Sequence, residues 1–420
     1  MIEIFKNLEK YNLWHQKKTV PAGYKRKGYL ERLKPYLGNR LVKVIIGQRR
    51  VGKSYLLRQI MGQMLEAGVK PKNIFYLNKE FVEFDVIKTH QDLQRLLTYT
   101  YNQLKVKGKR YIFLDEVQEI SGWERIVNSL SQNFKEEYEV FITGSNSTML
   151  SGELATLLSG RSLSFEVLPF SFLEFIDYLG LECNRKNYLA YLQSGGLPEL
   201  FHLKEEETKR HYISSLKDTI LLKDIVERFQ IKDAVLLEHV FSFLVDNVGN
   251  LFSVNSIVNY LSSHRQKTNY ETISSYVQYL CQCFLVHEAD RFDIKGKALL
   301  SGSKKYYLND FSFRNFLSSG FEAGLQRHLE NAVYLYYRGK GYKVYVGTLD
   351  KGEVDFILEK DNEREYVQVT YALNSPKVTQ REFSSLEAIK DNYPKRVISL
   401  DDVSFGNKEG IEHVLAWELD

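Results

Sequence analysis

Gly47-Gln48-Arg49-Arg50-Val51-Gly52-Lys53-Ser54 fits the pattern G-x-x-x-x-G-K-[ST], whose chemistry is the grip on a polyphosphate. Glycines at 47 and 52 let the backbone curl until successive N–H groups face one phosphate. Lys53 adds a mobile positive charge for the β- and γ-phosphates, and the Ser54 hydroxyl is a ligand for Mg²⁺. The nucleotide-binding stretch reads Gly47, Gln48, Arg49, Arg50, Val51, Gly52, Lys53, Ser54 and Tyr55, with Arg49 and Arg50 expected to pair with local carboxylates. Tyr111-Ile112-Phe113-Leu114 then runs into Asp115-Glu116. A carboxylate at the end of a buried strand suits the shell of the Mg²⁺ that Ser54 touches, which gives Asp115 to the metal. Glu116 beside it suits the general base that polarises an attacking water. Thr143, Ser145 or Asn146 orients that water, or else the three form a strand-end turn with capping hydroxyls. Arg161 is read either as an arginine finger, from its own or a neighbouring subunit, or as a salt-bridged surface residue.

These residues need strands that end together. The apolar run Leu41 to Ile46 precedes the loop, and Leu56, Leu57, Ile60 and Met64 follow at helical spacing. Asn73 to Asn78 predicts a second strand and Asp92 to Leu104 a second helix. Trp123, Ile126, Val127, Leu130 and Phe134 predict an amphipathic helix, and Tyr138 to Thr143 another strand. Continuous apolar strands separated by helices imply a parallel sheet covered on both faces. From Val235 short helices (Val235 to Val245, Ser253 to Leu261, Tyr270 to Leu280) lead to strand-like Phe284 to Arg291 and Lys305 to Asn309. That is the order of a winged helix, or of a helical element that only links two domains. A helix (Leu325 to Arg338), the strand Lys343 to Val346, and further strand and helix patterns return the chain to α/β.

Length and composition set the frame. A chain of 420 residues exceeds one ordinary core. The expected divisions are a basic lead-in at 1–40, a P-loop core at 41–180, a helical extension at 181–234, a winged helix at 235–320 and a second α/β domain at 321–420. With Lys+Arg 57 against Asp+Glu 53, the net charge of +4 does not demand nucleic acid, though a local basic face remains open. Cys183, Cys281 and Cys283 cannot build a disulfide framework. A charged N-terminus without a signal-peptide core, and no apolar window of membrane-spanning length, predict a cytoplasmic protein without a membrane partner.

Residues 41 to about 230 resemble the AAA-type P-loop ATPases of the additional-strand, catalytic-glutamate class. GQRRVGKS, YIFLDEVQEI, FITGSNS and LSGRSLSFEVLPFSFLEF carry the resemblance, the last being typical of one prokaryotic ATPase family. Members of that family carry a C-terminal domain of unknown function, matched here by HLENAVYLYYRGKGYKVYVG, GEVDFIL and YVQVTYAL. The resemblance implies binding and hydrolysis of ATP with Mg²⁺ and an ATPase-plus-winged-helix layout. The fold expected is therefore α/β: a P-loop NTPase parallel sheet, then an α-helical winged-helix domain, then a small α/β nuclease-like domain.

Glu330 on a helix, Asp355 after a glycine turn and the strand at Gln368-Val369-Thr370 have the order of a PD-(D/E)xK nuclease core. Gln368 and Thr370 stand where Glu and Lys are expected, so Glu330, Asp355 and Gln368 make a doubtful second metal site without its lysine. Lys343 or Lys351 would have to supply that charge. Partners follow from this layout: ATP, then double-stranded DNA or a protein. Arg265, Lys267, Arg291, Lys295, Lys297, Lys304 and Lys305 are expected to meet DNA phosphates, and a finger from a neighbouring subunit would require an oligomer.

Overall fold

The computed structural model describes residues 1–14, 21–147, 158, 160–318, 324–350 and 352–419. The chain forms two compact units, Met1–Val167 and Leu168–Asp420.

The first unit is built on five strands: β1 (Val42–Ile46), β2 (Ile74–Asn78), β3 (Arg110–Asp115), β4 (Tyr138–Gly144) and β5 (Ser162–Glu166). They run parallel in the order β2-β3-β4-β1-β5. β1, β2 and β4 are buried along their whole length, as strands covered on both faces must be. Helices α1 (Ile2–Tyr11), α2 (Lys27–Leu33), α3 (Lys53–Glu66), α4 (His90–Leu104) and α5 (Trp123–Ser131) complete the unit. A capping box between Thr89 and Asp92 starts α4, because the hydroxyl and carboxylate satisfy N–H groups that a first turn leaves open. α5 stops at Ser131, so Phe134, expected on its apolar face, is 85% exposed.

Lys25 and Lys27 of the basic lead-in are exposed, as in a solvated charge run. Lys17 and Lys18 lie outside the described residues, but Arg26 is buried, with its guanidinium 4.5 Å from the centre of the Tyr29 ring and Nη1 donating to Val51 O. Ahead of it, Asn12 exchanges amide hydrogen bonds with the Tyr76 backbone and Trp14 Nε1 donates to Ile74 O. Those side chains cover part of the open edge of β2, a backbone row that would otherwise invite another strand.

In the second unit, Ser171 and Glu174 form a capping box that starts the helix Phe172–Leu179. Phe172 and Phe175 pack on Tyr188, Tyr191 and Phe201, which is the physical content of the LPFSFLEF string. Helices Ala234–Asp246, Val254–Ser263 and Tyr270–Gln282 follow, with β6 (Leu251–Phe252) between the first two. β7 (Val286–Asp293) and β8 (Ala298–Leu308) make a hairpin, and β6 pairs with β8. After the helix Leu325–Gly339 come β9 (Lys343–Thr348), β10 (Glu353–Lys360), β11 (Glu363–Thr370), β12 (Lys395–Ser399), β13 (Asn407–Lys408) and β14 (Ile411–Leu415). The nine form one sheet in the order β13-β14-β12-β11-β10-β9-β7-β8-β6. β9 joins the hairpin in parallel, Arg291 opposite Val346. The β7–β8 hairpin and the C-terminal strands thus share hydrogen bonds across the boundary expected at 320.

Candidate functional site

Parallel alignment carries the C-terminal ends of β1, β3 and β4 to one edge of the sheet, where open α/β sheets build their sites. Because β4 lies between β1 and β3, the glycine loop, Asp115-Glu116 and Thr143 to Asn146 leave neighbouring strands there. Gly47 has φ 149° and a Cβ on it would lie 2.3 Å from Val167 O, so only glycine fits. Gly52 (φ 98°) and Arg50 (φ 69°) continue the curl. Lys53 is 4% exposed and donates to Gly47 O and Gln48 O, both at 3.0 Å. Its Nζ also stands 3.5 Å from Glu116 Oε1. Arg49 pairs with Glu80 at 2.8 Å.

Asp115 is fully buried. Its Oδ1 accepts from Thr143 Oγ1 at 2.6 Å, and its Oδ2 accepts from Tyr76 OH at 2.9 Å and Asn78 Nδ2 at 3.2 Å. The Ser54 hydroxyl bonds it as well, and burial still raises its pKa. Glu116 adopts a left-handed backbone (φ 54°), a strained conformation for a residue with a side chain. Its N–H donates to the same Thr143 Oγ1 at 2.9 Å, so one hydroxyl ties both carboxylate residues to β4. Burial alone would push Glu116 up, but the charge of Lys53 and a hydrogen bond from Gln118 outweigh it and hold the carboxyl below its ordinary range. Ser145 and Asn146 are buried beside them. Tyr76, Asn78 and Gln118 escaped the sequence reading, since nothing local marks a cross-strand partner. Gln59 was also missed. Its amide binds Ala22 O, Tyr24 O and Arg26 N, which fastens residues 22–26 to α3.

Arg161 does not join this group as an arginine finger from its own subunit. It precedes β5, whose register sets Ser162 beside Val42, at the opposite end of β1 from Gly47. Five residues of strand separate the two ends, roughly 16 Å, which is beyond an arginine side chain.

The expected metal cluster in the second unit is also corrected. Gln368 Oε1 accepts from the Asp355 N–H and its Nε2 donates to Glu382, so its amide is committed elsewhere. The position expected for an ion is held by Lys305, 4% exposed, with Nζ 3.0 Å from Glu330 Oε1, 3.5 Å from Asp355 Oδ1 and paired to Glu353. Tyr307 OH donates to Glu330 at 2.7 Å and Val369 N–H to Asp355 at 2.9 Å. Burial and the neighbouring Glu330 raise Asp355, with Lys305 opposing them. The lysine beside these carboxylates therefore comes from β8, while Lys351 lies outside the described residues. No group of three or more His, Cys, Asp or Glu arranged to hold a metal occurs among the described residues. Lys305 cannot meet DNA as expected, and Lys304, on the other face of β8, is paired with Glu288 and Asp290. Arg265, Lys267 and Lys297 are exposed, as is Lys295, which pairs with Asp350 at 2.9 Å.

The strand order, the glycine loop and the Asp115-Glu116 strand end define a P-loop NTPase α/β fold. An AAA-domain family profile matches residues 39–176, and that of a domain of unknown function, DUF8612, matches residues 185–324. The chain is 38% identical over 400 residues to an "Uncharacterized protein" of Haemophilus influenzae, spanning 94% of this chain and 98% of that one. It is 30% identical to the "Uncharacterized protein MJ1544" of Methanocaldococcus jannaschii, over 89% and 84% of the two chains. The chain belongs to the family these relatives represent. Two solved structures show a remote likeness: Aeropyrum pernix Orc1 in complex with DNA (TM-score 0.30, 12% identity, 71% of this chain and 93% of that one) and Pyrobaculum aerophilum Cdc6p (0.32, 12%, 77% and 97%). Among the described residues no helix is long and apolar enough to cross a membrane.

The opposite faces of β8 make a testable contrast. Lys305→Met strands Glu330 and Asp355 without their counter-charge and should cost about 3–5 kcal/mol in urea unfolding. Lys304→Met removes surface pairs worth about 1 kcal/mol or less. Equal effects would mean the face assignment is wrong.

Proposed function

We propose that this protein hydrolyses ATP with Mg²⁺ at the edge of the parallel sheet. The observation that carries the reading is the meeting of the glycine loop with the end of β3, Lys53 reaching Glu116 at 3.5 Å and the Ser54 hydroxyl bonding Asp115. In this reading the backbone N–H groups of Gly47 to Lys53 cradle the phosphates. Lys53 exchanges two backbone carbonyls for the β- and γ-oxygens. Ser54 and Asp115 offer hard oxygen donors, already bonded to each other, which fit Mg²⁺. When bound, that ion neutralises charge on the phosphate oxygens. Glu116, released from Lys53, accepts a proton from the attacking water. Ser145 and Asn146 remain candidates to orient the water, whereas Thr143 is engaged with both carboxylate residues. Arg161 would serve as an arginine finger only at the site of a neighbouring subunit.

The helices Ala234–Asp246, Val254–Ser263 and Tyr270–Gln282, with β6 paired to the second strand of the hairpin, support a winged helix. Its exposed cations Arg265, Lys267 and Lys297 suit contact with DNA phosphates, with nucleotide state biasing that grip. Docking of a protein partner is the alternative. For the C-terminal region a nuclease reading gains one observation, the wing lysine beside Asp355. It loses more, because that lysine is shut among carboxylates and Gln368 is turned to Glu382. We take this region as a retained scaffold.

Three measurements test these readings. Lys53→Ala should abolish nucleotide binding or turnover, while Glu116→Gln should keep ATP affinity and slow hydrolysis at least about a hundredfold; parental turnover in Glu116→Gln would move the base elsewhere. Duplex DNA affinity should fall steeply with salt, and Lys267→Ala with Lys297→Ala should flatten the slope by about two contacts; no binding at low salt would favour the protein partner. Plasmid and single-stranded DNA should stay intact with Mg²⁺ or Mn²⁺, and nicking lost in Asp355→Ala would restore the nuclease.

A further inference from the structure

Gln118 lies two residues past Glu116, in the single turn Val117–Glu119, and the roles assigned above leave it unused. Its Nε2 donates to Glu116 Oε2 while Lys53 stands at Oε1, so both oxygens of the carboxylate are engaged. That donation fixes which amide atom remains. Gln118 Oε1 is buried and has no hydrogen-bond partner among the described residues. Ser145 Oγ, just past the tip of the adjacent strand β4, is in the same condition. Buried acceptors without donors are destabilising. Two of them just past the ends of the paired strands β3 and β4, one already bonded through its nitrogen to Glu116, mark where a small donor belongs.

We propose that Gln118 is a second water-holding residue of the hydrolysis reaction, its amide nitrogen fixing Glu116 and its amide oxygen accepting a hydrogen bond from the attacking water. The inference rests on the ATPase reading. A carboxylate alone takes one hydrogen of the water and leaves the molecule free to turn about that bond. A second acceptor takes the other hydrogen and aims a lone pair at the γ-phosphorus, which converts a mobile nucleophile into a positioned one. The water oxygen bonds the γ-phosphorus, and the bond from that phosphorus to the β,γ-bridging oxygen breaks. ADP leaves with the electron pair, and Glu116 takes the proton. Gln118 exchanges no proton, and its neutral amide adds no charge to compete with Glu116 as base.

The test uses the full chain. Gln118→Met keeps the length of the side chain and deletes both amide groups. Steady-state ATP hydrolysis, equilibrium binding of a fluorescent ATP analogue and the thermal midpoint are measured together. The expected result is a kcat lowered roughly tenfold to a hundredfold, with nucleotide affinity and thermal midpoint at parental values. Gln118→Asn, which keeps the amide but withdraws it by one methylene, should show the same split, and serves if the methionine variant does not fold. Parental or faster turnover in these variants overturns the inference and leaves the ATPase reading standing. So does a loss of affinity equal to the loss of rate, which would mean a packing role. A parent chain that binds nucleotide without hydrolysing it overturns both.

Discussion

Asp115 has no exposed surface, and the first unit is arranged around satisfying it. A carboxylate taken out of water costs several kcal/mol unless hydrogen bonds and charge replace the lost solvent. Here the donors come from three directions: Tyr76 and Asn78 on β2, Thr143 on β4 and Ser54 at the start of α3. Those donors meet only if β3 lies between β2 and β4 and β1 lies beyond β4, which is the observed order. The same order brings the glycine loop and Glu116 to within an ion-pair distance. Strand order, burial of the carboxylate and the candidate chemistry are thus one constraint seen at three levels.

That dependence explains what could be read in the sequence and what could not. The loop at Gly47 to Ser54, the Asp115-Glu116 strand end and the alternation of strands with helices are local patterns, and each element appears within a few residues of its expected place. Tyr76 and Gln118 carry no such pattern. Tyr76 sits in a strand where every residue is buried, so its hydroxyl is invisible until β3 is placed beside it. Arg161 was open to a role in its own subunit until the β1–β5 register placed it at the far end of the sheet. β14 carries no local pattern either, because five residues between turns look like loop without β12 to pair with.

Lys304 and Lys305 show the limit most sharply. In sequence they are twin lysines on a basic hairpin, both suited to phosphate. A strand sends adjacent side chains to opposite faces, so one of the two must turn toward the body of the domain. Which one depends on where the helix Leu325–Gly339 packs, and that helix brings Glu330 to Lys305. Only tertiary contact makes the difference. The basic face left for DNA is correspondingly smaller than the composition of the hairpin suggested.

Both units place a lysine against buried carboxylates, but the two arrangements differ in what they permit. Lys53 is bound chiefly by two backbone carbonyls and reaches Glu116 at 3.5 Å. Charged hydrogen bonds of this kind contribute about 1.5–3 kcal/mol each, and the oxygens of a polyphosphate can replace them. The loop therefore stores its lysine in a position from which a ligand can draw it. Lys305 sits inside an eleven-residue strand among Glu330, Glu353 and Asp355. Withdrawing it would leave several carboxylates uncompensated in a place closed by Tyr307 and the backbone of Val369. One lysine is held by groups a ligand could replace and the other is fixed as a counter-ion, a contrast that supports the proposed chemistry at the nucleotide edge over chemistry at the carboxylate cluster.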